Sequence, residues 1–217
     1  MDIQLTSPVT PLTQEHLVEV LALSEEQMGK GFLSQETLLQ YINQPNHFGQ
    51  VVVEEGRVLG FSLMEIVDRV ALSKRMKIAE QWFLAYFAAY EQLGYRSLTA
   101  VATRVQGQGI GSLLVREGLK LLAKHVSVVV CDAWQSVHPS AGHVLLNNGY
   151  QALRAFPNFW KEESLQEGYD CAHCGTPPCQ CAATIYGCFF EKAPTNWWAR
   201  PDLDCLLYTS LSPRDRG

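Results

Sequence analysis

The chain has no apolar run near the roughly 18 residues that a membrane-crossing helix needs. Its opening residues, MDIQLTSPVTPL, lack a basic segment followed by an apolar one, so no secretory leader is expected. Both absences lead to the expectation of a cytoplasmic protein with no membrane partner. An excess of basic charge is missing too. Lys and Arg number 17 against 22 Asp and Glu, for a net charge of −5. With no Lys- or Arg-rich stretch to meet phosphates, nucleic acid is excluded as the expected main partner. No internal repeat is evident. What is left is 217 residues, 47% hydrophobic and 18% charged. That suits one globular domain with some decoration, and its acidity tolerates a cationic ligand such as an amine.

The periodicities then order the chain. Ile3 to Leu5 alternates as an edge strand would. Thr13 offers an N-cap to an amphipathic helix bearing Leu17, Val20 and Leu21 on one face. Ser34 starts a second helix, and Pro45 ends it. Phe48 to Glu54 and Val58 to Val67 read as strands joined by a turn at Glu55-Gly56. Ala79, Trp82, Phe83, Tyr86 and Phe87 recur at helical spacing, which predicts one long helix from Leu72 to Gly94. Its aromatic face is expected to pack into the core or to meet a second copy in a homodimer. A strand from Leu98 to Thr103 and a helix from Ser112 follow, the helix carrying a stripe of Val115, Leu119, Leu122 and Val126. Val128 to Trp134 is a buried strand with Cys131 as a small core residue. A short helix near Pro139, a strand from Tyr150 to Phe156 and a last strand from Thr184 to Glu191, with Cys188 in it, complete the pattern. Strands alternating with helices imply an α/β domain with a mixed sheet.

Between the strand at Leu98 and the helix at Ser112 lies the most informative stretch, Gln106-Gly107-Gln108-Gly109-Ile110-Gly111. The first amides of a helix have no intrahelical acceptors, and the positive end of the helix dipole stands behind them. Glycines let the chain wrap an anion closely. A phosphate or pyrophosphate is the expected ligand. A nucleotide P-loop would end in Gly-Lys-Ser/Thr, and the lysine is missing. A dinucleotide fingerprint would read Gly-x-Gly-x-x-Gly after the first strand, which this loop does not. The plainer alternative is a strand-to-helix turn that binds nothing.

Gln106-x-x-Gly109-x-Gly111, after Leu98-x-x-Val101 and before an amphipathic helix, resembles the coenzyme A signature of the GNAT superfamily of N-acetyltransferases. His138-Pro-Ser-Ala141 and Leu146-Asn-Asn-Gly149-Tyr150 resemble that family's later helix and closing Gly-aromatic pair. Together these motifs cover roughly residues 98 to 156. The resemblance implies a mixed, mostly antiparallel central sheet flanked by helices, with acetyl-CoA as co-substrate. It implies that Val101 and Thr103 line the thioester arm. Gln106, Gly107, Gln108, Gly109, Ile110, Gly111 and Ser112 would surround the pyrophosphate. An amine would attack the thioester directly, in a ternary complex; a small molecule and a protein N-terminus are both open as acceptor.

One departure from the family matters. Four residues before Gly149-Tyr150, where many relatives carry a tyrosine as the acid, stands Leu145. His138 or His143 is the substitute within reach of the motif, or a thiol of pKa about 8.5 leaves without a dedicated acid. For the base, Asp132 is the leading candidate, because a carboxylate in an apolar strand has its pKa raised as a base requires. Glu65 is the weaker one. Trp134 and Trp160 are candidate walls for the acceptor.

The seven cysteines are an odd number in a chain expected to lack a leader, which argues against a disulfide framework. Cys171-x-x-Cys174-Gly-Thr-Pro-Pro-Cys179-x-Cys181 gathers four of them, two pairs separated by a turn. Such a knuckle suits one tetrahedral metal, zinc first. Redox use of the thiols is the competing reading. The expected organisation is one acyltransferase domain over 1–192, with a helical insertion at 70–95 and a cysteine-rich loop at 168–183. Residues 193–217 form a tail expected to be disordered, its end CLLYTSLSPRDRG reading like translated adapter sequence. A coenzyme A- and zinc-binding module without turnover is the alternative to an enzyme.

Overall fold

The computed structural model of the chain describes residues 8–76, 79–135 and 140–190. Seven strands within it make one sheet in the order β1-β2-β3-β4-β5-β7-β6. An edge strand, β1 (Val9–Pro11), precedes α1 (Leu17–Met28) and α2 (Gln35–Asn43); the edge strand expected at Ile3 to Leu5 lies outside the described residues. Thr13 makes a capping box with His16 over one 3-10 turn that leads into α1. Ser34 caps α2 by accepting from the Thr37 amide at 3.1 Å. β2 (His47–Glu54) and β3 (Arg57–Asp68) form a hairpin. Its turn residues Glu55 and Gly56 hold φ of 49° and 76°, the positive values a two-residue turn demands.

The helix expected from Leu72 to Gly94 does not form. Asp68 caps α3 (Arg69–Arg75) by accepting from the amides of Val70 and Ala71. A separate α4 (Glu80–Tyr86) follows, and β4 (Gln92–Val101) starts well before Leu98. Gly94 is not a helix stop. It lies inside β4, where a Cβ would crowd Val129, Val126 and Leu122 at 3.0–3.2 Å. The aromatic spacing was a true helical signal over two turns only. Trp82, Phe83 and Phe87 are buried and share a core cluster with Leu93, Tyr95 and Phe156, so that face is core.

After the glycine loop come α5 (Ile110–Leu122), β5 (Val128–Trp134), α6 (Ser140–Asn147), β6 (Gln151–Phe156), α7 (Lys161–Glu167) and β7 (Ala183–Phe189). Sequence periodicity gave no sign of α7. Its residues, KEESLQE, bury only Ser164, so there is no apolar stripe to read. No described helix is long and apolar enough to cross a membrane. α5 and α6 pack on one face of the sheet through Leu114, Val115, Leu119, Leu122 and Leu145. α1 to α4 cover the other through Val20, Leu38, Leu72 and Phe83.

Every neighbouring strand pair is antiparallel except β4 and β5, which are parallel and joined over α5. Their pairing is short: Gly94 meets Val129 and Tyr95 meets Val130. Beyond Tyr95, β4 keeps its pairing with β3 as far as Val101. β5 keeps its pairing with β7 as far as Trp134. The two central strands therefore fork, and the middle of the sheet is open at one end.

Candidate active site

α5 begins beside the fork. Its N-cap is Gly109 at φ 88°, in the left-handed region, and Gly107 before it holds φ 78°. No side chain caps this helix, and its first turn has no acidic residue. The first-turn amides of Ile110, Gly111 and Ser112 thus keep their donors outward with the dipole behind them. A Cβ on Gly107 would meet nothing within 4 Å, so the approach is clear. This cradle fits a pyrophosphate.

The loop is held from behind. Gln106 donates its side-chain amide to the Val101 carbonyl at 3.1 Å and to Gln27 Oε1 at 3.0 Å. Thr103 gives both its amide, at 3.1 Å, and its hydroxyl, at 2.6 Å, to Glu26 Oε1. These side chains brace the loop against the end of α1, and the Thr103 amide is engaged there. Ile110 has its side chain in the core, 1% exposed against Val52, Leu59 and Leu114. Of the residues expected around the ligand, Gly107 to Ser112 present backbone.

Val101 faces the opening. In an antiparallel ladder alternate residues turn their amide groups to the same neighbour. The Ala102 amide donates to the Leu59 carbonyl, so Val101 and Thr99 direct theirs away from β3, towards the gap that β5 leaves.

On the face covered by α1 to α4, the fork opens onto a cavity of about 310 Å³. Phe32, Tyr41, Glu65, Tyr95, Asp132 and Trp160 are among its walls. Tyr95 donates its hydroxyl to Asp132 Oδ1 at 2.6 Å, bridging the two diverging strands. Burial pushes the Asp132 carboxyl up to about 7, and the Glu163 charge adds to the rise; the hydrogen bond from Tyr95 holds it down in part. Burial and the Asp132 charge together raise the Tyr95 hydroxyl well above its ordinary value, so it stays a donor. Glu65 is buried in the same cavity but engaged. Arg75 reaches both of its oxygens, at 2.5 and 3.2 Å, and His47 lies 3.7 Å away. Both of its oxygens are therefore occupied, whereas Asp132 lines the cavity without an arginine partner among the described residues.

Neither family profiles nor curated proteins match the sequence. Solved structures do match the fold. The ribosomal-protein-S18-alanine N-acetyltransferase from Escherichia coli superposes with a TM-score of 0.59 at 14% identity, over 88% of this chain and 98% of that one. Arabidopsis thaliana NAA60 in complex with acetyl-CoA gives 0.63 at 14% identity, over 85% and 98%. A GNAT-family acetyltransferase from Streptococcus pneumoniae gives 0.56 at 13%, over 83% and 98%. The fold is that of the GNAT acetyltransferases.

Within the GNAT fold, the place of the absent tyrosine is filled by a core side chain. Leu145 is 4% exposed and packs with Val115, Tyr150 and Tyr186. His143 is exposed on α6. His138 lies outside the described residues.

Two side chains that sequence reading passed over make the hydrogen bonds at the base of the fork. Tyr95 fell between the helix expected to end at Gly94 and the strand expected from Leu98. Arg96, beside it, is 1% exposed. Its guanidinium donates to Ser62 Oγ, to Thr99 Oγ1, to the Tyr150 hydroxyl and to the Val115 carbonyl at 3.0 Å. A buried cation is held by neutral oxygens of β3, β4, α5 and the residue before β6, which ties the fork's base to the helix above it. A lone Arg after a Tyr carries no motif, so nothing in the sequence marked it.

The four clustered cysteines sit beyond the end of β5. Cys171, Cys179 and Cys181 are buried while Cys174 reaches the surface, and none is in a disulfide. Their sulfurs all lie within 4.8 Å of one another. Trp134 and Trp160 pack against them. Trp160 is therefore a wall of the cavity, whereas Trp134 faces the sulfurs.

Proposed function

We propose that the protein transfers the acetyl group of acetyl-CoA to a primary amine. One observation carries the reading. The uncapped, glycine-flanked N-terminus of α5 stands at the mouth of the β4–β5 fork, and the fork leads into a cavity holding a carboxyl with a pKa of about 7. Acetyl-CoA, when bound, supplies an activated acyl carbonyl. The amides of the α5 first turn would hold its pyrophosphate, and the Val101 amide, turned into the gap, would donate to the thioester arm.

The remaining work falls to the cavity. An amine arrives as an ammonium and must shed a proton before it attacks. Asp132 accepts that proton near neutral pH, and Tyr95 fixes the carboxylate's orientation. Glu163 and Glu167 at the cavity wall draw a cation inward. With Leu145 in place of a tyrosine, the coenzyme thiol departs as thiolate or takes its proton from water. The E. coli neighbour is named for acetylating an alanine of a ribosomal protein, so peptides with a free N-terminal amine belong in the first screen beside small amines.

Calorimetric titration of acetyl-CoA, followed by thiol release with that panel, tests the reading. Micromolar binding with amine-dependent release supports it. Binding without release to any amine favours a coenzyme A-binding module, and no binding to the folded protein removes the proposal.

A further inference from the structure

We propose that Cys171, Cys174, Cys179 and Cys181 bind one zinc ion, and that the ion fixes the wall of the amine cavity by clasping the α1–α2 loop. A zinc ion with Zn–S bonds of about 2.3 Å sets its four sulfurs about 3.8 Å apart. Here Cys174 and Cys181 lie 3.4 Å apart, Cys171 and Cys181 3.9 Å, and Cys174 and Cys179 4.0 Å. Those spacings are far from a disulfide of about 2.05 Å.

Backbone amides face two of the sulfurs. The amides of His173 and Cys174 donate to Cys171 Sγ at 3.4 Å, and that of Gln180 to Cys174 Sγ at 3.4 Å. Cys171 and Gly175 exchange both backbone hydrogen bonds at 2.8 Å, closing the tight turn that brings the first pair together. The Trp134 indole N–H is buried beside the cluster with no oxygen or nitrogen acceptor. Four thiols gathered in one half-buried spot match the donor set that zinc selects, and coordination releases their protons.

The knuckle is tied to both sides of the cavity. Asp170 and Ala172 donate their amides to the carbonyls of Lys30, at 3.2 Å, and Met28, at 3.0 Å, so the knuckle pairs with the chain as it leaves α1. Gly29, at φ 112°, allows that approach, since a Cβ there would run into the Asp170 carbonyl. Tyr169 meets Phe32 edge to face at 5.2 Å, and Phe32 lines the amine cavity. On the other side, the Cys179 amide donates to Ser164 Oγ of α7 at 2.8 Å, and Trp160 before α7 touches both sulfurs and cavity. A segment of GYDCAHCGTPPCQC has little apolar surface of its own to bury, so the metal is what holds it in place. The zinc site stands on sulfur geometry alone, while the clasp rests on the amine reading of the cavity.

The test starts with metal content of the full chain. One zinc per chain is expected, exchangeable for cobalt with the visible bands of a tetrahedral thiolate site, and lost in Cys174→Ser and Cys179→Ser. Four thiols free to a thiol reagent with no bound metal, or a disulfide found by mass spectrometry, would overturn the site. Chelation is expected to raise the amine KM on the order of tenfold to a hundredfold, as a displaced positioning wall does, with acetyl-CoA affinity unchanged. It should also remove hydrogen-exchange protection from residues 28–33. Gly29→Ala retains all four ligands and should bind zinc yet show the same KM rise, which covers the case of cysteine variants that do not fold. Zinc bound, with neither protection nor KM altered by its removal, overturns the clasp. If no amine is turned over, the exchange data alone decide the clasp, and the failure belongs to the acyltransferase reading.

Discussion

The hydroxyl of Tyr95 donates to Asp132 across the point where β4 and β5 part, at 2.6 Å. Tyr95 is the last β4 residue paired with β5, and Asp132 stands two residues past its partner, Val130. The bond therefore closes the angle of the fork and holds the carboxylate over the opening.

If Asp132 is the base, kcat/KM rises as pH climbs through about 7, because the carboxylate must be ionised to accept a proton. Asp132→Asn should lose on the order of 10²- to 10⁴-fold in rate and lose that limb of the profile. Tyr95→Phe removes a bond that lowers the Asp132 pKa, so the limb should move to higher pH. A pH–rate series on the three proteins checks this. An Asn variant with wild-type rate and profile would dismiss Asp132.

Stability should carry the same signature with opposite sign. The folded-state pKa of Asp132 is raised from 3.8 to about 7. The group's contribution is therefore fully present below pH 3.8 and is lost as pH rises towards 7. Asp132→Asn should gain on wild type over that window, by ~1 to 3 kcal/mol. Urea denaturation at pH 4.5 and pH 8 measures the difference.

Gly109→Glu places a side chain on a residue at φ 88° and a negative charge at the helix N-terminus. The strain costs about 1–2 kcal/mol, and the charge repels phosphate. Acetyl-CoA affinity should fall about a hundredfold or more, as read by calorimetry, while the circular dichroism spectrum stays that of the wild type.

Gly118 is the point where α5 lies against the buried Arg96. A Cβ there would run into Met64 Sδ and Arg96 Nη2. Gly118→Ala should cost ~1–3 kcal/mol as overpacking does, seen as a lower urea midpoint at constant m-value. An unchanged midpoint would mean that α5 has room to lift.

Much of this architecture was legible beforehand, and for a local reason in each case. Ser34 and Thr13 announced their helices because capping is settled within four residues. Glu55-Gly56 announced a hairpin because only such pairs accept two positive φ values. The segment from Leu72 to Gly94 misled because aromatic residues at helical spacing looked the same over two turns as over six, and Gly94 carried a stop signal that close packing explains instead. α7 went unseen because it buries almost nothing.

For the candidate site the division is sharper. The sequence by itself determined the glycine loop and the four cysteines, since φ above zero and a knuckle turn are properties of neighbouring residues. It also placed a carboxylate in an apolar strand at Asp132. Only the tertiary structure decided that β4 and β5 pair at Gly94 and Tyr95 and then diverge. It alone set Tyr95 against Asp132, gave Glu65 to Arg75, buried Arg96 under α5, and leaned the cysteine knuckle on the α1–α2 loop. These contacts join residues up to about 140 positions apart. They depend on strand order and helix placement, which are set by how apolar faces pack against one another, and no local pattern encodes that.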